Sequence, residues 1–421
     1  MNKSILAFAS CALLAGSAGA SEGTVPHGIG PLDHVFLIMM ENHGYSQIMN
    51  NPNAPFINQY AHRANLATDY FAVGHPSLTN YLEVVGGSNF GIQSDHNPDW
   101  HNAGCTPNLQ SGTANTDNPA TGDICPIAGT GLDAATPAQD TVNEVSNPGD
   151  VLNNIDGVRA IPAEQTTGKT IADQLAAYGM TWKSYQEDLP AEGADRINYS
   201  DGFYTNNTDF GTIMPTLDPP LSQSDVVSLY ASKHNPFVYF RSVQEGQTDD
   251  LSLRNSVGFD GDDGLYADLR SGRVPAFSFI APNQCNDQHG RGNGGAFCNY
   301  DPKSDGSQSG LNPALIQRGD MTIEKLVDAI HNSRVWKEGR NAIVVLWDEN
   351  DYSIAPNNNN VVLIVDTNFG NQGVTSGTYY NHFSLLKTLE AGFQLPCLNH
   401  ACDKDVQVMS DLFSQPIHGH R

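Results

Sequence analysis

Two short apolar runs in this chain end on acids. His34 to Met40 (HVFLIMM) runs into Glu41-Asn42, and Ala342 to Trp347 (AIVVLW) runs into Asp348-Glu349. A run without polar alternation suits a strand covered on both faces, the situation in a parallel sheet flanked by helices. Further strand candidates are Thr181 to Tyr185, Pro236 to Phe240 (PFVYF), Ala276 to Ile280 and Val361 to Asp366. Helical patterns lie between them, around Ala54 to Arg63, Ile171 to Tyr178, and Ile323, Leu326, Val327 and Ile330, with Asn381-His382 opening a last helix through Leu385, Leu386 and Leu389. Alternating buried strands and helices predict a three-layer α/β/α sandwich around a mostly parallel central sheet. In such sheets ligands sit beyond the carboxyl ends of the strands, which directs attention to the acids.

The stretch Phe71 to Ser88 (FAVGHPSLTNYLEVVGGS) supplies a candidate nucleophile. Leu78, Tyr81, Leu82 and Val85 recur at the spacing of one helix face, and Gly86-Gly87 stop the pattern, so a helix starts at Ser77. A hydroxyl there lies among unpaired backbone N–H groups at the positive end of the helix dipole, surroundings that favour an anion such as a phosphoryl group. Ser is also a common helix cap with no chemistry attached, and taken alone Ser77 fits that role more readily. The acids elsewhere shift the balance.

Glu41-Asn42 and Asp348-Glu349 are far apart in sequence but could meet at one sheet edge. Acid and amide oxygens brought together need a cation, and hard oxygen donors suit Ca²⁺, Mg²⁺ or Mn²⁺, while Zn²⁺ is possible but would want more nitrogen or sulfur. Any single acid after a strand is more often a turn residue or cap; the two occurrences together carry the metal reading. His289, before the Gly-rich loop Gly290 to Gly295, and His382 are candidate phosphate or metal contacts. Gly168-Lys169-Thr170 is no P-loop, because Ala163 stands where the first glycine is needed and no strand precedes it.

Lys3, the apolar run from Ile5 to Leu14 and Ala18-Gly19-Ala20 read as a signal peptide over residues 1–20, leaving 21–421 as a single domain of a secreted or periplasmic protein. Residues 91–164, rich in Asn, Asp, Gly, Pro and Thr, read as a loop-rich insertion. Six cysteines follow the signal, and sequence proximity suggests Cys105 with Cys125, Cys285 with Cys298, and Cys397 with Cys402. The net charge of −25, from 46 acidic and 21 basic residues, argues against nucleic acid or an anionic membrane surface as a partner. No later apolar run reaches spanning length, so no stable membrane insertion is expected. An anionic substrate would need positive charge gathered locally.

In order along the chain, MMENHGY, HPSLTNY, PFVYF, FSFIAPNQCNDQHG, Gly319-Asp320, LWDEND and Asn381-His382-Phe-Ser-Leu-Leu resemble the bacterial phosphoesterase family of secreted acid phosphatases and phospholipases C, within the alkaline-phosphatase superfamily. The resemblance spans Asp33 to Leu395 and implies an alkaline-phosphatase-like sandwich. It implies Ser77 as nucleophile and metal ligand, with Glu41, Asn42, Asp348 and Glu349 as the other ligands. Thr79 departs from the Pro common at that position in the superfamily and is a rival hydroxyl. The substrate implied is a small phosphate ester, cleaved through a phosphoserine; a monoesterase is expected ahead of a phospholipase C. Asn80 and His75 are candidate phosphate contacts, and His289 and His382 rank ahead of His75 as the acid that protonates the leaving alcohol. A Ser-His-Asp acyl hydrolase is disfavoured by the missing GxSxG elbow, and a metal-stabilised binding protein is the non-enzyme alternative. The oligomeric state is left open.

Overall fold

β1 (His34–Met40) is buried from Val35 onward, as its unbroken apolar run requires. It is followed by α1 (Tyr45–Ile48), α2 (Pro55–Arg63), β2 (Asn65–Ala67), β3 (Tyr70–Phe71), α3 (Ser77–Gly86), α4 (Ile171–Ala177) and β4 (Trp182–Gln186). Then come α5 (Arg241–Gln244), β5 (Ser256–Val257), α6 (Leu265–Ser271), β6 (Phe277–Ala281), α7 (Pro313–Asn332), β7 (Asn341–Trp347), β8 (Leu363–Thr367), β9 (Thr375–Ser376), β10 (Tyr380–Asn381), α8 (His382–Phe393) and α9 (Ser410–Phe413). The computed structural model describes residues 22–75, 77–90, 169–189, 229–244, 248–290, 313–350 and 359–413. The expected signal peptide, the 91–164 insertion, and Cys105, Cys125 and Cys298 lie outside the described residues.

The main sheet has the order β5-β4-β6-β1-β7-β8-β2-β9. The pairs from β5 to β7 are parallel, and β8 runs antiparallel to both β7 and β2. Helices pack in two groups, α7 with α2 and α6, and α3 with α4 and α8, forming the outer layers of a three-layer α/β/α sandwich. On α7 the buried Leu315, Ile316, Ile323, Leu326, Val327 and Ile330 make the inward stripe. Every residue of α3 is buried, so this helix has no solvent face.

Register places the acids. Met40 stands opposite Trp347, so Glu41 and Asp348 are the first residues beyond two adjacent strands, and Asp348 N donates to Met40 O at 3.0 Å. On the other side of β1, Glu41 N donates to Asp287 O at 2.9 Å, tying in the loop that follows β6. The short pairing of β10 with β3 sets the start of α8 beside the segment that leads into Ser77.

One expected strand is not a strand. Pro236–Tyr239 is a 3₁₀ helix with Pro at its first position, closed by Val238 N to Asn235 O and Phe240 N to Phe237 O at 3.2 Å each. A short apolar run says only that a segment is buried; the Asn-Pro start decides in favour of the turn. The Cys397–Cys402 disulfide is formed, and Cys285 is also disulfide-bonded. Among the described residues no helix is long and apolar enough to cross a membrane.

Candidate active site

Ser77 is the first residue of α3, and its Oγ lies 3.1 Å from Glu41 Oε2 and 3.0 Å from Glu349 Oε1. Strand ends that are far apart in sequence thus converge on one hydroxyl. Ser77 and Thr79 are equally buried, so exposure does not separate the two rivals; the flanking carboxylates mark Ser77. His75 Nδ1 is 2.7 Å from Glu349 Oε2, and Asn80 Nδ2 donates to the same oxygen at 3.1 Å. Asn80 also braces the approach to the helix, accepting from Val73 N and Gly74 N and donating to Gly74 O. Asn42, in the left-handed region at φ 56°, donates its backbone N–H to Asp348 Oδ1 at 3.0 Å. Its side-chain Nδ2 is buried without a hydrogen-bond partner.

His289 and His382 are placed differently from each other. The Nε2 of His289 is 3.1 Å from Lys233 Nζ, and its Nδ1 is 2.9 Å from Gly290 O. The ring of His382 is held at both nitrogens, by the Asp348 carbonyl at 2.7 Å and the Tyr70 hydroxyl at 3.0 Å. Burial pushes the pKa of His382 down to about 4, so the ring is neutral, donating from Nε2 and accepting at Nδ1.

Four residues that sequence reasoning did not assign complete the constellation. His234 Nε2 is 2.8 Å from Glu41 Oε1 and its Nδ1 is 3.3 Å from Asp287 Oδ2; Tyr81 OH donates to Glu41 Oε1 at 2.7 Å. The Tyr81 ring stacks on His234 with centroids 5.3 Å apart, and buried Lys233 stands behind at His289. Burial would drive the pKa of His234 down, but Glu41 and Asp287 raise it to about 10. Burial would conversely lift Glu41, yet His234, Lys233 and His289 hold it below the usual carboxylate range. The cluster is therefore an ionised Glu41 gripped by an imidazolium. The available signal was Lys233-His234, two adjacent basic residues before an apolar run in a strongly acidic chain.

The donors suit a hard cation. Glu41, Asp348 and Glu349 are fully buried, and burial followed by repulsion from Glu41 and Glu349 pushes the pKa of Asp348 well above its ordinary value. Asp348 Oδ2 has no hydrogen-bond partner, and the Ser77 hydroxyl has one proton for two carboxylate oxygens. As the side chains stand, no three His, Cys, Asp or Glu among the described residues enclose an ion; Glu41 is turned toward Ser77, Tyr81 and His234, and Glu349 toward Ser77, His75 and Asn80. An all-oxygen set that is short of protons nevertheless fits a divalent ion.

Fold and site define an α/β protein with a helix-start serine enclosed by acids at the carboxyl edge of its sheet. The chain belongs to the Phosphoesterase family, whose family model matches residues 47–396. It is 24% identical over 254 residues to an acid phosphatase of Aspergillus fumigatus, a match covering 60% of this chain but only 36% of that protein. It is also 24% identical to a phosphatidylinositol-3-phosphatase of Mycobacterium tuberculosis, over 94% of this chain and 89% of the relative. Among solved structures, an alkaline phosphatase superfamily protein from Vibrio parahaemolyticus superposes with a TM-score of 0.40 at 11% identity, covering 89% of this chain and 69% of that one.

Proposed function

We propose that the protein is an exported, metal-dependent phosphatase that hydrolyses phosphate monoesters through a phosphoserine at Ser77. The observation that carries this reading is the position of Ser77 Oγ, at a helix start between Glu41 and Glu349, in a chain of the Phosphoesterase family. Ser77 Oγ attacks phosphorus, its proton leaving to a flanking carboxylate oxygen, and the bond from phosphorus to the alcohol oxygen breaks. The departing oxygen takes a proton that the Lys233 ammonium passes to Nε2 of His289. His289 is preferred to His382 because its Nε2 is paired with an ammonium that can supply a proton, whereas His382 is held between a carbonyl and a tyrosine hydroxyl. Water then attacks the phosphoserine, breaking the phosphorus–Oγ bond and restoring the hydroxyl as phosphate departs. His75 and Asn80 line the same position and are the proposed phosphoryl contacts. Glu41, Asn42, Ser77, Asp348 and Glu349 would hold the metal, Ca²⁺, Mg²⁺ or Mn²⁺ ahead of Zn²⁺. A bound divalent ion would lower the pKa of the Ser77 hydroxyl and offset phosphoryl charge.

Both relatives carry names of monoester phosphatases, which supports that substrate class over a phospholipase C. The match to the Mycobacterium tuberculosis protein over most of both chains favours a second reading of the substrate, a phosphorylated lipid headgroup. A leaving-group acid that must be protonated gives an acidic rate optimum. The deciding experiment is acid quenching during turnover of a soluble phosphomonoester, followed by peptide mapping. One phosphoryl group on Ser77, and no turnover by a folded Ser77→Ala variant, is the expected result. Full activity in that variant, or label on Thr79, overturns the assignment, and preferred hydrolysis of phosphatidylcholine overturns the substrate class.

A further inference from the structure

A cavity of about 360 Å³ opens behind the loop that carries Asp287 and His289. That volume is typical of small-molecule sites. The loop has two sides. Asp287 and His289 reach His234 and Lys233, whereas Asn286 donates to Glu187 Oε2 at 2.7 Å and accepts from Arg318 Nε at 2.6 Å. Glu187 directly follows β4, so this cavity shares the carboxyl edge of the sheet with the Ser77 site.

The wall from α7 brings Arg318, Met321 and Lys325 together at i, i+3 and i+7 of one helix face. Tyr266 and Phe259 supply aromatic surface, and the Lys325 ammonium sits 5.0 Å from the centre of the Tyr266 ring. Two cations lining one cavity are notable in a chain whose net charge is −25. The Glu187 carboxyl also lines the cavity, and its Oε2 is engaged by the Asn283 backbone N–H and the Asn286 amide at 3.0 and 2.7 Å. Asp260 also acts on Lys325, but it is exposed to water and screened accordingly.

We infer that this cavity binds a small organic anion with an aromatic or apolar body. Arg318 and Lys325 meet the anionic group, and Tyr266, Phe259 and Met321 take the body. Such an anion has two possible sources: the alcohol part of a phosphate ester that bears a second anionic group, or a separate effector. The site itself is independent of the phosphomonoesterase reading, and only its assignment to the substrate rests on that reading.

The test is calorimetric titration of the full chain with 2-naphthoate. Saturable binding is expected, weakened at least roughly tenfold, or about 1.4 kcal/mol, by Arg318→Gln and by Met321→Glu, and unaffected by Ser77→Ala. Met321 is 63% exposed, so its substitution does not threaten folding. No saturable binding, equal binding in both α7 variants, or loss in Ser77→Ala overturns the inference. Competition between 2-naphthoate and 4-nitrophenyl phosphate in initial rates, absent in Met321→Glu, assigns the cavity to the leaving group; a change in kcat without competition assigns it to an effector. Absence of turnover under all metals would count against the phosphoserine reading and leave the binding result standing.

Discussion

His234 holds two acids at once, and its removal would leave Glu41 and Asp287 buried and facing each other without a cation between them. Breaking a buried, hydrogen-bonded charge pair of this kind costs about 3–5 kcal/mol. His234→Gln should therefore lower the unfolding free energy by that order, measured by denaturant titration. A loss under 1 kcal/mol would mean that the contacts with Glu41 and Asp287 contribute no more than a surface pair. Asp348 presents the opposite case. In chelator-treated protein its carboxylate repels Glu41 and Glu349, so Asp348→Asn should raise the melting temperature of the metal-free form. The same substitution should lower metal occupancy and kcat at least roughly tenfold when metal is supplied. If instead the metal-free variant is the less stable protein, repulsion among these carboxylates is not what dominates there.

α8 carries a group whose ionisation should be visible far from the site. Glu390 is buried, with Oε1 accepting from Leu398 N at 2.8 Å and Oε2 without a partner. Burial, against the Leu398 hydrogen bond and Lys387, holds its pKa well above 4.5. The folded state thus binds a proton more tightly than the unfolded chain, and stability must fall as pH rises from about 4.5 toward the elevated folded value. Glu390→Gln should remove that slope and be the more stable protein at neutral pH, as thermal melts across pH would reveal; parallel wild-type and variant profiles would refute it. At this scale the sequence was legible where periodicity was long. The helices at 55–63, 77–86 and 171–177 lie where their apolar spacing and stops put them, and α7 extends its four-residue stripe to Pro313–Asn332. The five apolar residues of PFVYF carry no period, so only Asn235-Pro236 marked the turn, and reading a strand there hid Lys233 and His234 just upstream.

Across the whole molecule, the sheet could be read because parallel strands covered on both faces announce themselves as apolar runs, and because the acids follow those runs directly. That Glu41-Asn42 and Asp348-Glu349 could meet at one sheet edge was expected for the same reason, whereas Ser77 was joined to them only by the family resemblance. The histidine and tyrosine that grip Glu41 were not expected, because Tyr81 also satisfies the apolar face of α3 and a lone histidine has no spacing to betray it. If the buried carboxylates are completed by a divalent ion, binding should couple to folding. Saturation at about 100 times Kd adds roughly 2.7 kcal/mol, so chelation should lower the melting temperature and Ca²⁺, Mg²⁺ or Mn²⁺ should restore it; indifference of the melt to all three would remove the metal from the account.

The contact between Asn42 N and Asp348 Oδ1 joins positions 306 residues apart, and β1 has its neighbours in β6 and β7. On the ribosome, HVFLIMM emerges ahead of both partners, with its edges unpaired and its side chains suited only to burial. Until β6 and β7 have been made it can neither complete the site nor hide itself, and an exposed apolar strand is an aggregation hazard. The acids around Ser77 therefore cannot be assembled until Glu349 has been made. The chain depends through that interval on whatever keeps its first strand from pairing with a stranger.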